Sequence, residues 1–403
     1  MKPIIILPGL FASIPDPGSR YGYSLGFSEK LYNPLIDGLC SLGYKKEKDL
    51  FVAYYPWWRR VKDIPANYLK PVIDRAMKIN DTDGVVLIGH SMGGLVARAY
   101  VQSDDYRYDV SKLIMLGTPN AGAANAYYAW EGGDLAPTPE FDITNAFYKA
   151  FVWMLSFQHV VPHPKDIVRK YIKSVRDLMP VKEYGSYIFT YKNNDIRFIP
   201  IREMHEANGY LTGLNKNFDI LDERCRPYLL GGIGYYTNEY IQVSARKNKL
   251  WEDGKPEGVV RNLKGDGTVL LKSLSLDKET VKMKSMHAGL MENCIGQIAD
   301  ILKLNYSGRH IPKKMINYIS MIVPKGTDIL RIEDNPKLEK VSVDGKFDWY
   351  MAFNVERKDY RFNIKEIMPS SKVFIDTPKM NMSVYKSIKR STSEIVIRGE
   401  DII

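Results

Sequence analysis

Four short, solidly apolar runs fall within the first 120 residues: "PIIILPG", "DLFVAYYPW", "GVVLIGH" and "VSKLIMLGTP". Between them lie longer stretches with helical spacing, "SEKLYNPLIDGLCSLG", "IPANYLKPVIDRAMKI" and "MGGLVARAYVQ". A strand with no polar side needs cover on both faces, and connections long enough to be helices supply it. The pattern therefore predicts an α/β fold, a mostly parallel sheet flanked by helices. "RPYLLGGIG" and "ETVKMKSM" continue the strand series, and "HAGLMENCIGQIADILK" closes it as a helix, so residues 1–126 and 228–305 read as one catalytic core. Residues 127–227 interrupt that core with aromatic-rich, helix-like sequence and no matching strands, as a helical cap or lid insertion would. From 310 to 403 the texture changes to short alternating segments such as "KVSVD", "DWYMAFNV", "SKVFIDTP" and "SEIVIRG", which predict a small C-terminal all-β, sandwich-like domain.

At 403 residues and 45% hydrophobic, the chain can bury a large core. Its net charge is +10, of which +5 (18 Lys plus Arg against 13 Asp plus Glu) sits in residues 304–403. No zinc-finger spacing or nucleic-acid module accompanies that charge, so no nucleic-acid partner is expected; an anionic membrane or lipid-droplet surface is the better functional match. Cys40, Cys225 and Cys294 lack metal-ligand spacing and cannot all pair, which argues for free thiols and against a metal site. "KPIIILPG" already reads as a strand where a leader would stand, and no run reaches 18 apolar residues. The expected location is cytoplasmic or, if a leader has been removed, secreted. Composition says nothing of oligomeric state.

The segment "VVLIGHSMGGLVARAYV" passes from a buried strand to a helix through Gly89, Ser91 and Gly93, a G-x-S-x-G pattern in the context that gives it meaning. Such an elbow lifts a serine Oγ above the carboxyl edge of a parallel sheet. A serine hydroxyl needs a base within hydrogen-bond reach and an acid to orient that base. In this architecture they follow in the order Ser, Asp or Glu, His. His90 adjoins the serine and is expected to point elsewhere; His159, His163 and His205 lie in the insertion, and His310 follows the last helix. His287, after the last sheet strand, is the expected base. Asp266, in the Gly-flanked loop of "LKGDGTVLLKSL", is the expected acid, with Asp277 as the alternative. Backbone N–H groups of Met92, at a helix N-terminus, and Leu10, behind the Pro-Gly turn after the first strand, are the expected oxyanion donors. This chemistry requires no metal and no organic cofactor.

"LPGLFAS", "AYYPWWRR", "GHSMGG", "LGTPNAG", "YLTGLN" and "GDGTVLLKSL", in this order, resemble the lecithin:cholesterol acyltransferase-like family of α/β-hydrolases, which includes lysosomal phospholipases, acyltransferases and bacterial lipases. The likeness spans roughly residues 1–305 and is sharpest at "GHSMGG" and "GDGTV". It implies an α/β-hydrolase fold, with Ser91 as nucleophile, Asp266 as acid, His287 as base, and Leu10 and Met92 at the oxyanion hole. Leu270 stands where the family has Pro, Asn120 where an aromatic or histidine is usual, and the cysteines do not match the disulfides of secreted members. The resemblance implies a lipase or esterase acting on lipid carboxylic esters through an acyl-enzyme, with a lipid acyltransferase or phospholipase as the alternative. A non-catalytic binding protein on the same fold is a third class. Phe11 and, in the apolar "AFYKAFVWMLSF", Trp153 and Phe157 are expected to meet the acyl chain, beside Phe147, Phe151 and Met154. Trp57 and Trp58, next to Arg59 and Arg60, suggest either an interfacial anchor or aromatic packing at the site mouth.

Overall fold

The computed structural model describes residues 1–136, 152, 155, 163–192, 195–244 and 250–306, and segments between 318 and 402. Two compact units divide the chain: Met1–Glu140 with Pro162–Arg309, and Phe141–Val161 with His310–Ile403.

Ten strands of the first unit form two sheets: β1 (Ile4–Leu7), β2 (Leu50–Val52), β3 (Val85–His90), β4 (Val110–Leu116), β5 (Ile188–Lys192), β6 (Asp195–Ile199), β7 (Arg226–Ile233), β8 (Thr237–Val243), β9 (Pro256–Asn262) and β10 (Val281–Lys284). Six of them build one sheet in the order β10-β7-β4-β3-β1-β2, and every pairing is parallel. The central strands are buried on both faces, as their largely apolar sequence demands: all residues of β1 and all of β3 are buried. Helices α1 (Glu29–Ser41), α2 (Lys70–Asn80) and α3 (Met92–Val101) follow the first strands, and α4 (Leu290–Asn293) and α5 (Ile295–Leu302) close the unit. The predicted last helix is thus split at Cys294. Leu35 and Leu39 of α1 and Ile295 and Ile298 of α5 join Ile4, Ile6 and Ile88 in one core cluster.

The stretch 127–227 is not all helical, in contrast to the expectation. It contributes β5 and β6, which join β8 and β9 in a four-stranded sheet of order β9-β8-β5-β6. One face of this sheet is buried through Ile188, Ile241 and Val243, whereas Tyr191, Ile196, Phe198 and Val260 remain exposed on the other. β8 starts beside β7's carboxyl end, and the Thr237 hydroxyl accepts a 2.9 Å bond from the Gly267 N–H.

In the second unit, five antiparallel strands run in the order Glu339–Ser342, Phe347–Phe353, Tyr318–Pro324, Val373–Asp376, Ser383–Tyr385; a second sheet pairs Asp328–Leu330, Tyr360–Lys365 and Thr392–Ile397. Alternate residues of both, Ile319, Met321, Val323 and Ile375 from one and Phe362, Ile364, Ile395 and Ile397 from the other, share one core.

Candidate active site

β3 ends at His90 and α3 begins at Met92, leaving Ser91 alone to make the turn, at φ 54° and ψ −126°. A non-glycine residue in that region costs about 1–3 kcal/mol and persists only where its surroundings impose it. Here they do. The Ser91 N–H donates to the Leu116 carbonyl at the end of β4 (2.8 Å), and the Ser91 carbonyl accepts from the Gly94 N–H (3.0 Å). The flanking glycines let the helix press against the sheet: a Cβ at Gly93 would collide with the carbonyl oxygens of Leu7 and Pro8, and one at Gly89 would lie 2.5 Å from the Gly94 Cα.

Asp266 and His287 come from loops that follow β9 and β10, and they meet. His287 Nδ1 lies 2.7 Å from Asp266 Oδ2. Asp266 is buried, at 2% exposure. Its other oxygen, Oδ1, accepts the N–H groups of Thr268 (3.0 Å) and Val269 (2.7 Å), and its carbonyl accepts the His287 N–H (2.8 Å). Backbone N–H groups thus hold one carboxylate oxygen and the carbonyl, which leaves the other carboxylate oxygen turned to the imidazole. A carboxylate on Nδ1 assigns the ring proton to that nitrogen and leaves Nε2 with the lone pair a base needs. The alternative acid, Asp277, is exposed in a left-handed turn (φ 62°) after the helix Leu271–Ser275, and the partner of His287 is Asp266.

Met92 opens α3, where the first N–H groups have no intrahelical acceptor. Leu10 sits in the turn after β1, partly exposed. Phe11 takes a left-handed φ of 64° and is buried against Trp57, with ring centroids 4.2 Å apart. Trp57 is itself buried and packs edge-on to Trp58 (5.5 Å). Arg60, beside them, pairs with the inaccessible Asp177 (Nη2 to Oδ1, 2.6 Å), which raises the guanidinium pKa. Of the two readings of this aromatic-basic stretch, packing holds for Trp57, because a residue at 3% exposure cannot anchor a surface. Trp153 and Phe157, with Phe147, Phe151 and Met154, lie outside the described residues.

Asn120 has a physical reason for departing from the family pattern. Arg98 of α3 is wholly buried, and its guanidinium donates to the side-chain oxygens of Gln102, Asn120 and Asn215, each at 2.9 Å. Burial drives its pKa down to about 9. Asn120 thus completes an amide cage around a buried cation, and its own amide donates to the Leu274 carbonyl (2.7 Å).

Sequence reasoning set His90 aside, and the structure gives it a place in the site. It is 6% exposed, its ring centroid is 4.8 Å from that of His287, and its two nitrogens face Tyr32 Oη (Nδ1, 2.8 Å) and the His287 carbonyl (Nε2, 3.2 Å). Burial first, then the neighbouring His287, pulls its pKa down to about 3, so it is neutral at physiological pH. The only sequence signal was its position next to the nucleophile. Among the described residues, no three His, Cys, Asp or Glu side chains gather as a metal site, and no helix is long and apolar enough to cross a membrane.

Comparison with known proteins places this geometry in context. The lecithin:cholesterol acyltransferase family model matches residues 22–221, a segment that contains Ser91 and ends before Asp266 and His287. Among solved structures, the chain is similar to the mature form of the lipase BlEst2 from Bacillus licheniformis (14% identity, covering 75% of this chain and 92% of that one, TM-score 0.42). Its propeptide form is similar too (11%, 98% and 94%, 0.42). So is the phospholipase PlaB from Legionella pneumophila (12%, 98% and 91%, 0.36). No curated protein matches. The six-stranded parallel sheet and the strained serine between strand and helix form an α/β fold whose residues 22–221 are similar to the lecithin:cholesterol acyltransferase family.

Proposed function

We propose that the chain is a serine hydrolase that cleaves carboxylic esters of lipids through an acyl-enzyme. The observation that carries this reading is the buried, backbone-aimed Asp266–His287 pair on the unit that also holds Ser91 in a strained elbow. In this mechanism His287 Nε2 takes the Ser91 hydroxyl proton as Oγ attacks the ester carbonyl. The tetrahedral oxyanion is met by the N–H groups of Leu10 and Met92, and its collapse expels the alcohol, which receives the proton from His287. Water, activated by the same base, then attacks the acyl-enzyme, releases the fatty acid and restores Ser91. Asp266 keeps the imidazole in its tautomer and stabilises the imidazolium.

Phe11, in the turn after β1, is read as a contact for the acyl chain. Contact with a lipid surface is read into the four-stranded sheet, where Ile196 (56% exposed), Phe198 (42%) and Val260 (46%) share an outward face with the half-buried Tyr240. Tyrosine and apolar side chains on one face, on a chain of net charge +10, suit an anionic interface.

The test compares fatty-acid release from an emulsified long-chain ester by wild type and Ser91→Ala, with a soluble short-chain ester as reference. Release that requires Ser91 and exceeds turnover of the soluble ester is the expected result. Turnover of the soluble ester alone, rising when an alcohol acceptor is added, would assign the chain to acyl transfer. Equal activity in Ser91→Ala would overturn the mechanism.

A further inference from the structure

The hydrogen bonds around His90 have only one consistent set of directions. The Gly9 N–H can only donate, and it points at Tyr32 Oη at 2.7 Å. Tyr32 Oη also meets His90 Nδ1 at 2.8 Å. At the far side of that ring, the His287 carbonyl can only accept, and His90 Nε2 lies 3.2 Å from it. Nε2 must therefore carry the proton of the neutral imidazole, Nδ1 must be the acceptor, and the Tyr32 hydroxyl must donate to it while accepting from Gly9. The result is one directed chain: Gly9 N–H to Tyr32 O–H to His90 to the carbonyl of His287.

Its two ends are the two loops whose mutual placement matters most. Gly9 immediately precedes Leu10 in the turn after β1, and His287 carries the imidazole that faces Asp266. Tyr32 is 2% exposed and sits on α1, anchored by Leu35 and Leu39 in the main core. His90 ends β3, one residue before Ser91. The chain therefore crosses from the first loop to the last through rigid elements, with no water needed at any step.

Resting on the hydrolase reading above, we propose that Tyr32 and His90 are positioning residues, which tie the oxyanion loop to the loop of the catalytic base and so hold Leu10 N–H, Ser91 Oγ and the His287 ring in one geometry. Neither touches substrate. Their contribution falls on turnover rather than on substrate binding, because a displacement of about 1 Å among reacting groups can cost on the order of 100-fold in rate.

Three variants separate the links. Tyr32→Phe keeps the ring and removes the shared hydroxyl; His90→Asn retains an acceptor near the Nδ1 position and loses the donor to His287; His90→Gln retains a donor near the Nε2 position and loses the acceptor for Tyr32. On a soluble ester, kcat is expected to fall about 10-fold in Tyr32→Phe and His90→Gln and more in His90→Asn, with KM changed less than about 2-fold. The double variant Tyr32→Phe with His90→Asn is expected to lose much less than the product of the single losses, because both cut one chain. Single variants with wild-type kcat, or losses that multiply, would overturn the proposal. Should a variant fail to fold, nitrogen NMR of wild-type His90 decides: a proton on Nε2 from pH 5 to 8 supports the directed chain, and a proton on Nδ1 overturns it. Ser91→Ala run alongside keeps the two readings apart. Turnover there at the wild-type rate rejects the hydrolase mechanism, whereas Ser91-dependent turnover indifferent to Tyr32 and His90 rejects only the positioning role.

Discussion

The two larger sheets of the first unit are built from the same backbone and answer to different solvents. In the parallel sheet, every residue of β1 and β3 is buried. In the four-stranded sheet one face is buried through Ile188, Ile241 and Val243 while Ile196, Phe198 and Val260 stay in water. The first arrangement makes a rigid frame, and two of the groups proposed for the chemistry sit at its edge: Ser91 after β3 and His287 after β10. The second leaves apolar side chains available for something outside the chain. Ser91 and His287 follow strands of the parallel sheet, the proposed lipid contact lies on the outer face of the four-stranded one, and Asp266, in the loop after β9, is the point where the two meet.

The largest expected effect breaks the chemical side alone. Ser91→Ala should lower kcat by about a million-fold and Asp266→Asn by about ten-thousand-fold, on soluble and emulsified esters alike, with urea midpoints close to wild type. A comparable loss on the emulsion only would mean that the parallel sheet is not where turnover is decided.

Packing separates the sheets next. Ile88→Ala in β3 opens a hole among fully buried neighbours and should cost about 2–5 kcal/mol by urea denaturation, whereas Val260→Ala in β9 should stay within about 0.5 kcal/mol. Similar costs at both positions would erase the distinction between a two-sided and a one-sided sheet.

A smaller effect comes from pH. The pKa of His90 falls to about 3 on folding, against about 6.5 in an unfolded chain. Between those values the unfolded chain binds a proton the folded one refuses. Stability attributable to this residue is therefore intact above pH 6.5 and is lost as pH falls, by up to about 1.4 kcal/mol per pH unit. His90→Gln should flatten that part of the stability profile between pH 6.5 and 4; an unchanged slope would mean that His90 is already protonated in the fold. The smallest expected change in stability, within about 0.5 kcal/mol, belongs to Ile196→Ser combined with Val260→Ser. Turnover of the soluble ester should be unaffected there, while binding to anionic vesicles and release from the emulsion should fall. Equal vesicle binding by this double variant would remove the four-stranded sheet from the lipid contact.

The same contrast explains what could be read from the sequence. β1 and β3 announce themselves because strands buried on both faces must be largely apolar, and Ser91 was legible because its glycines sit where strand pattern gives way to helix pattern. Asp266 and His287 were expected from chain order, and a 2.7 Å bond pairs His287 with Asp266, not with Asp277. β5, β6, β8 and β9 escaped notice because "DIRFI", "TNEYIQV" and "PEGVVRN" alternate or mix polar residues, a pattern that aromatic-rich helical sequence can imitate. His90 and Tyr32 were invisible for a deeper reason: 58 residues separate them, and nothing local in either marks a long-range bond. Asn120 likewise acquires its meaning only beside Arg98.

The most direct measurement is the intact mass of the protein after exposure to a long-chain alkyl organophosphonate, which a serine nucleophile attacks and cannot release. A single adduct that maps to Ser91, is absent from Ser91→Ala and forms far more slowly in Asp266→Asn is the predicted result. An unmodified wild type, or an adduct that persists in Ser91→Ala, would contradict the assignment of Ser91, Asp266 and His287 to one catalytic apparatus.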